Sequence, residues 1–380
     1  MAPPQAVWEA DFPLETGIPD ALEDESVRQT IRVSLGGRRV RLVLSNAYGD
    51  RPVHVGSASL ALAERGDRII PDTRRGITFG GRSGAVVPPG APIVTDPIDL
   101  PVAALSRLTV TLHFPDYTPL TTFHWDGRQT GYIVTGDATN RINLNNPRTI
   151  SARLFLSGVL VETPNRGSVV VIGDSITDGN GATPNEDNRW PDYLAERFVK
   201  QRVAVLNGGI SGARLLADGM GVNALARFDR DVLSQPQVIA VIVLIGINDV
   251  AWPGTPFAPD ARRPGLSRLV DGYRQLIARA RVAGVRIVGA TLPPFEGALE
   301  NTPLDGYYHA DKDKLRRDVN RWIRNSAAFD GVIDFDAILR DPAQPSRLAT
   351  RFDSGDHLHP GDRGNAAMAG AAGSEKVLGQ

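Results

Sequence analysis

One serine of this chain directly follows a predicted buried strand, where its side chain could take part in a reaction. Ser175 comes after Gly173 and Asp174, which end the β-branched run at residues 169–172. Such a run is typical of a short strand buried on both faces, and the polar residues after it must turn the chain at the strand's carboxyl end. Ligands bind at that edge of an open α/β sheet, so Ser175 is a candidate nucleophile. The alternative is that Ser175 only caps the next helix, because serine is a favoured N-cap residue.

Glycines between a strand and a helix also occur in phosphate-binding loops, but the spacing here fits neither common form. The Walker loop needs a lysine, and residues 169–198 contain none. The dinucleotide pattern that starts at Gly179 and Gly181 meets Pro184 at the position of its third glycine. The sequence therefore does not predict a nucleotide site in this segment.

A serine nucleophile needs a base to take its proton and a carboxylate to orient that base. The chain has six histidines, and only His357 and His359 lie beside an acid in a loop close to the C-terminus. Asp356 and His359 are three residues apart, so one turn of backbone can bring carboxylate and imidazole together. We therefore expect His359 to be the base and Asp356 its orienting group. His357 is the weaker candidate, and a capping or solvent histidine is the alternative for His359.

Donors for an oxyanion are available in two loops that follow strands at the same edge. Residues 207–212 include three glycines, which let a backbone N–H approach a ligand closely. Asn248, in the next such loop, can donate from its side-chain amide. With the N–H of Ser175 these groups are of the kind that forms an oxyanion hole, although each loop alone could be a plain turn. Ser211 comes close to a nucleophile elbow but has Ala213 at the last position, so it is the weaker serine.

Taken in order, these segments resemble the four sequence blocks of the SGNH or GDSL hydrolases. The blocks are matched by residues 173–175, 207–212, 246–249 and 356–360. The resemblance covers the chain from about residue 168 onward, and it implies a flavodoxin-like sheet and chemistry without a metal or other cofactor. It implies Ser175 as the nucleophile, His359 as the base and Asp356 as its orienting group. The implied oxyanion hole consists of the Ser175 N–H, the Gly212 N–H and the Asn248 amide.

The first part of the chain has the rhythm of an all-β domain. Short alternating segments, separated by Gly, Pro, Asp and Asn, predict a β-sandwich or jelly roll. The predicted strands are residues 30–35, 39–44, 57–63, 76–79, 93–98, 108–114, 132–135 and 154–162. The first two flank Gly36 and Gly37, and this spacing predicts a hairpin whose turn needs positive φ angles. We expect this accessory domain to span residues 1–163.

After a turn-rich segment at residues 163–167, predicted strands alternate with predicted helices. The strands are residues 168–172, 203–206, 238–245, 285–290 and 332–334. The helices are residues 190–200, 213–233, 267–282, 311–328 and 362–377. Five parallel strands with helices between them form a three-layer α/β domain, which we expect at residues 164–380.

Composition limits the partners of the chain. With 380 residues it exceeds the size of one hydrophobic core, so two domains are expected. The formal net charge is -1 at pH 7, and without a sustained basic surface we expect no nucleic-acid partner. No apolar stretch approaches the length of a membrane span. The chain has no cysteine, which excludes thiol catalysis, disulfides and zinc held by cysteine.

The sequence thus predicts a serine esterase that hydrolyses short-chain carboxylic esters, with acetyl esters on carbohydrate as one substrate class. Trp252 and Phe257, just after the Asn248 loop, are candidate substrate-binding residues. One alternative is a metal-dependent phosphoesterase with a divalent ion held by Asp174, Asp178, Asp249, His357 and His359. The other is a non-catalytic glycan-binding protein on an esterase fold. A sandwich domain and a polymeric substrate favour a secreted or periplasmic location over a cytoplasmic one.

Overall fold

Residues 1–8 and 12–379 are described by the computed structural model of the chain. They divide into two units, the first formed by residues 1–8 and 15–165 and the second by residues 12–14 and 166–379. The predicted domain boundary between residues 163 and 164 stays a prediction.

Antiparallel sheets form the first unit. The largest has six strands in the order β15 (Arg148–Ile150), β14 (Gly131–Thr135), β3 (Glu25–Arg32), β11 (Arg107–Phe114), β6 (Ser57–Leu62) and β7 (Arg75–Gly76). The second has the order β10 (Ile98–Val102), β4 (Gly37–Ser45) and β17 (Leu156–Glu162), with β9 (Pro92–Val94) also pairing with β4. Shorter ladders join β1 (Gln5–Ala6), β13 (Thr122–His124) and β16 (Arg153–Leu154), then β2 (Ala21–Leu22) with β12 (Thr118–Pro119), and β5 (Val53–Val55) with β8 (Ala85–Val87).

One hydrophobic core lies between the two larger sheets. The core forms because each strand turns its apolar side chains to one face, as in β10, where buried and exposed side chains alternate along the strand. Leu42 of β4 and Val110 of β11 belong to the same buried cluster, although the two strands lie in different sheets. Two sheets that bury their inner faces against each other form a β-sandwich, and the all-β prediction for this part of the chain is confirmed.

The predicted hairpin at residues 30–44 is wrong. Strand β3 pairs with β11 and β14, whereas β4 pairs with β10 and β17 in the other sheet. Gly36 and Gly37 therefore link two sheets, and neither has a positive φ angle. Close packing explains the two glycines: a Cβ on Gly36 would lie 2.7 Å from the backbone nitrogen of Ala104, and one on Gly37 would overlap the carbonyl oxygen of Glu162.

A five-stranded parallel sheet forms the centre of the second unit. Its order is β19 (Val203–Gly209), β18 (Gly167–Gly173), β20 (Val238–Leu244), β21 (Arg286–Ala290) and β22 (Gly331–Ile333). Counted along the chain this order is 2-1-3-4-5, the flavodoxin-like arrangement, and the predicted fold class is confirmed. Every residue of β18 is buried, as a central parallel strand requires.

Helices surround this sheet. They are α1 (Ser175–Asp178), α2 (Trp190–Phe198), α3 (Ala224–Phe228), α4 (Ile247–Ala251), α5 (Leu266–Val282), α6 (Ala310–Asn325), α7 (Phe335–Leu339), α8 (Asp362–Ala371) and α9 (Ser374–Leu378). The predicted helix at residues 213–233 is too long, because α3 begins only at Ala224, where the Asn223 side chain caps it. Gly219 and Gly221 lie in the missing part, and glycine disfavours helix. Among the described residues, no helix has the length and apolar character that crossing a bilayer would need.

Candidate active site

Ser175 lies at the carboxyl end of the central strand β18, on the first turn of α1. The N-cap of that helix is Asp174, whose Oδ1 accepts a hydrogen bond from the N–H of Ile176 at 3.0 Å. The interpretation of Ser175 as a capping residue is therefore wrong, because its neighbour provides the cap. The serine hydroxyl is left to make a different contact.

That contact is with His359, in the loop before α8. Ser175 Oγ lies 2.8 Å from His359 Nε2, and His359 Nδ1 lies 2.6 Å from Asp356 Oδ2. The second oxygen of Asp356 accepts the N–H groups of Leu358 and His359 at 3.0 and 2.8 Å. Ser175 is thus joined in one hydrogen-bonded chain to two side chains that lie 181 or more positions later in the sequence, at the edge where the sheet presents its carboxyl ends.

The charge of Asp356 determines which nitrogen of the His359 imidazole carries the proton. Burial alone would raise the pKa of this carboxyl, but hydrogen bonds and charge from His359, with the N–H of Leu358, hold the pKa well below its ordinary value. The carboxylate is therefore ionised at neutral pH and can only accept, so the proton of the neutral imidazole lies on Nδ1. Nε2 then carries a lone pair toward the Ser175 hydroxyl, which is the arrangement a general base needs.

The structure also brings Asn248 to the loop that contains Gly212. Asn248 is buried in α4, and its Nδ2 donates to the carbonyl oxygen of Ala213 at 3.0 Å. Gly212 has a φ angle of +71°, and a Cβ there would lie 2.5 Å from Met220 Sδ and 2.8 Å from the Trp252 ring. Backbone angle and neighbouring side chains both require glycine at this position. The role of these donors in an oxyanion hole stays a prediction.

An arginine that the sequence analysis did not single out holds two strand ends together. Arg227 is 1% exposed, and its guanidinium donates to the carbonyl oxygens of Gly208 at 2.8 Å and Gly173 at 3.0 Å. Asp231 Oδ2 lies 3.2 Å from the same guanidinium. Gly173 precedes the turn to Ser175, and Gly208 belongs to residues 207–212, which we call the glycine loop. Arg227 therefore fixes the spacing between these two segments. An arginine in a helical stretch resembles a surface residue in the sequence, so no local signal indicated it.

Ser211, the weaker serine of the sequence analysis, has a structural partner. Its N–H and hydroxyl both donate to Asp178 Oδ2, at 2.9 and 2.7 Å. This contact joins the end of α1 to the glycine loop, where a Cβ on Gly209 would overlap the backbone of Asp178. Asp178 therefore acts as a structural acceptor for Ser211 and stabilises the position of the loop.

His357 belongs to a second acid–imidazole pair. Its Nδ1 lies 2.5 Å from Asp353 Oδ2, its φ angle is +61°, and its side chain is exposed. The histidine in contact with Ser175 is His359, and His357 pairs with a different aspartate.

The residues proposed for a metal ion in the phosphoesterase alternative are not gathered. Asp249 accepts the N–H groups of Leu215 and Leu216 at 2.6 and 2.9 Å. Burial raises the pKa of Asp249 to about 6 and that of Asp174 to about 7, which opposes the charge a cation would need. Within residues 1–8 and 12–379, no group of three or more His, Asp or Glu side chains is arranged as a metal site.

Trp252 and Phe257 form an aromatic cluster with Phe12. The ring centroids of Trp252 and Phe257 lie 5.0 Å apart, and those of Phe257 and Phe12 lie 4.7 Å apart. Trp252 is 2% exposed, and the guanidinium of Arg214 lies 5.0 Å from its ring. Packing on Gly212 and on other aromatic rings accounts for Trp252, and substrate binding by the two residues stays a prediction.

A flavodoxin-like sheet with a Ser–His–Asp chain at its carboxyl edge defines an α/β protein that has the groups acyl transfer requires. The model of the GDSL-like lipase/acylhydrolase family matches residues 169–372, more than half of the chain, so the chain belongs to this family. Its membership makes it a carboxylic ester hydrolase. A search of curated protein sequences finds no match.

Solved structures with a similar fold each correspond to about half of the chain. A G-D-S-L family protein from Desulfitobacterium hafniense, described as a lipolytic protein, has 21% identity over 55% of this chain and 98% of its own, with a TM-score of 0.40. The acetylxylan esterase Axe2 from Geobacillus stearothermophilus has 24% identity over 55% and 92%, with a TM-score of 0.40. Est24, a carbohydrate acetylesterase from Sinorhizobium meliloti, has 16% identity over 54% and 96%, with a TM-score of 0.42.

Proposed function

We propose that the protein is a serine esterase that hydrolyses short-chain carboxylic esters through an acyl-enzyme on Ser175. The observation that carries this proposal is the 2.8 Å contact between Ser175 Oγ and His359 Nε2, continued by the 2.6 Å contact between His359 Nδ1 and Asp356. A hydroxyl is a weak nucleophile until a base within hydrogen-bond reach takes its proton. His359 has the distance and the tautomer for that task.

In the first step, His359 Nε2 takes the proton of Ser175 as Oγ forms a bond to the ester carbonyl carbon. The imidazolium that results is stabilised by the ionised carboxylate of Asp356. His359 then returns the proton to the oxygen of the leaving alcohol as the ester bond breaks. Water, deprotonated by the same nitrogen, hydrolyses the acyl-enzyme and restores the Ser175 hydroxyl.

Charge develops on the former carbonyl oxygen when Ser175 attacks. We assign three donors to this oxygen: the N–H of Ser175 at the start of α1, the N–H of Gly212 and the Nδ2 of Asn248. Donors held in place before the reaction stabilise the transition state without a cost of reorganisation. The contact of Asn248 with Ala213 supports this assignment because it places the amide beside the residue that follows Gly212.

The proposed substrates carry short acyl groups, with acetyl esters on saccharides as the preferred class. The packing of Trp252, Phe257 and Phe12 supports this proposal, because rings that pack against one another leave little apolar surface for a long acyl chain. We propose that the β-sandwich unit is an accessory domain for a saccharide substrate.

Covalent labelling tests the nucleophile. A fluorophosphonate should phosphonylate Ser175: the serine oxygen forms a bond to phosphorus, fluoride leaves, and the hydroxyl proton passes to His359. Peptide mass spectrometry should find the adduct on Ser175, and Ser175→Ala should abolish it. Ser211→Ala is the matched control, and its adduct should remain on Ser175, because the Ser211 hydroxyl is bonded to Asp178. An adduct on another serine, or none, would contradict the proposal.

A chain-length series tests the substrate class. With 4-nitrophenyl esters of increasing acyl length, kcat/KM should be highest for acetate or butyrate and fall steeply for longer chains. Release of acetate from acetylated polysaccharide, measured in the same buffer, should exceed release from the polymer incubated with Ser175→Ala. A maximum at long acyl groups would refute the short-chain assignment while leaving the esterase assignment intact.

A further inference from the structure

Tyr307 lies outside all the sequence segments that indicated chemistry, yet it contacts one of the proposed oxyanion donors. It is located in the connection between β21 and α6, and it is 1% exposed. Its hydroxyl lies 2.7 Å from Asn248 Oδ1. The residues are 59 positions apart in the chain, so only the tertiary structure brings them together.

The partners of Asn248 fix the orientation of its amide. The carbonyl oxygen of Ala213 can only accept a hydrogen bond, so the amide atom 3.0 Å from it must be the nitrogen. The amide oxygen consequently faces Tyr307, and Tyr307 is the donor in that contact. An amide nitrogen carries two hydrogens, and one is used by Ala213. The other is available for an oxyanion.

The Tyr307 hydroxyl keeps its proton under all ordinary conditions. Burial raises the pKa of Tyr307 well above its ordinary value, and the nearby carboxyl groups of Asp174, Asp356 and Asp249 act in the same direction. The hydroxyl is therefore a donor throughout the pH range in which an esterase with an imidazole base would work.

The segment that contains Tyr307 is attached directly to the helix that contains Asn248. Lys312, buried in α6, donates to the carbonyl oxygen of Ala251 at 2.6 Å and to that of Gly306 at 2.9 Å. Ala251 ends α4, and Gly306 precedes Tyr307 in the chain. The ring of Phe295 packs edge-on against Tyr307 with a centroid distance of 6.0 Å. These contacts fix the position of Tyr307 relative to Asn248.

We infer that Tyr307 is a positioning residue for the oxyanion hole, which holds the Asn248 amide with its nitrogen toward the reacting carbonyl. The inference rests on the proposed function. Without the tyrosine hydroxyl, the buried Oδ1 of Asn248 loses its donor, and only the contact of Nδ2 with the Ala213 carbonyl oxygen still holds the amide. The second Nδ2 hydrogen is then less firmly directed at the developing negative charge. The loss should affect the transition state more than substrate binding, and therefore kcat more than KM.

Kinetics of Tyr307→Phe with a 4-nitrophenyl acetate substrate test the inference. We expect kcat to fall by about tenfold with KM nearly unchanged, a smaller loss than the roughly 10²- to 10³-fold expected for Asn248→Ala. In the Asn248→Ala background, Tyr307→Phe should lower kcat no further, because the residue acts through the asparagine. Tyr308→Phe is the matched control: its hydroxyl faces Glu296 at 3.5 Å, and its kcat should equal that of the wild type.

The outcomes separate the inference from the proposed function. Wild-type kcat in Tyr307→Phe, or losses that multiply in the double variant, would overturn the inference alone, provided that Ser175→Ala is inactive. Absence of ester turnover in the wild type would overturn both. NMR gives a second readout, because the side-chain amide signals of Asn248 should shift and exchange faster in Tyr307→Phe but not in Tyr308→Phe. Unchanged Asn248 signals would also overturn the inference.

Discussion

Replacement of Ser175 by alanine is expected to lower kcat for a short-chain aryl ester by about 10⁴- to 10⁶-fold. The variant lacks the oxygen that forms the acyl-enzyme. Only the rate enhancement that comes from substrate binding and from the oxyanion donors then remains. The fold should be kept, because one hydrogen bond contributes only about 1 kcal/mol to stability. Initial rates with 4-nitrophenyl acetate measure the loss, and thermal unfolding measures the stability.

A serine on the strand that leads to Ser175 provides the control. Ser168, near the other end of β18, is also buried and donates its hydroxyl to the carbonyl oxygen of Pro236 at 2.7 Å. Ser168→Ala removes a comparable hydrogen bond and should keep the wild-type kcat. If Ser175→Ala retained that kcat as well, Ser175 would not be the nucleophile.

Replacement of Asp356 by asparagine should lower kcat by about 10⁴-fold. An asparagine can turn its N–H toward His359 Nδ1, which favours the imidazole tautomer with its proton on Nε2. That tautomer cannot accept the Ser175 proton. Asp353→Asn is the matched control, because Asp353 makes the same type of contact with His357 in the same loop. The kcat of Asp353→Asn should fall by no more than about tenfold. Equal losses of kcat in the two variants would contradict the assignment of Asp356 as the residue that orients His359.

The same carboxyl predicts a change in stability with pH. Because the pKa of Asp356 is below its ordinary value in the folded state, its ionised form stabilises the fold above the unfolded pKa of about 3.9. That contribution is lost as the pH falls toward the folded value. The difference in Tm between wild type and Asp356→Asn should therefore be larger at pH 6 than below about pH 3. A difference that is constant with pH would argue against an ionised Asp356 carboxylate in contact with His359.

Three features of the second unit could be predicted from local sequence. The β-branched run before Gly173 predicts a fully buried strand, and β18 is that strand. Alternation of strands and helices predicts a parallel sheet in a three-layer domain, because a helix between two strands lets the second strand run in the same direction as the first. The three-residue spacing of Asp356 and His359 places both on one turn, and their side chains are in contact.

Other predictions failed because pairing is decided between distant segments. Two alternating runs around Gly36 and Gly37 resemble a hairpin, yet burial of both inner faces of the sandwich places β3 and β4 in different sheets. The alternative for Ser175, a helix cap, also failed, because Ser175 is the first residue of α1 and its neighbour Asp174 has the cap position. In each case the local signal is genuine but is satisfied by a different partner.

By itself the sequence determined the class of fold and the residue types that could transfer an acyl group, because strand burial, glycine turns and short spacings are local properties. Only the tertiary structure decided which groups support them. Arg227 joins two strand ends, Asp178 holds Ser211, and Tyr307 orients Asn248 from 59 residues away. Such contacts depend on how separate elements pack around buried polar groups, each of which must find a hydrogen-bond partner. No local pattern in the chain encodes which partner that will be.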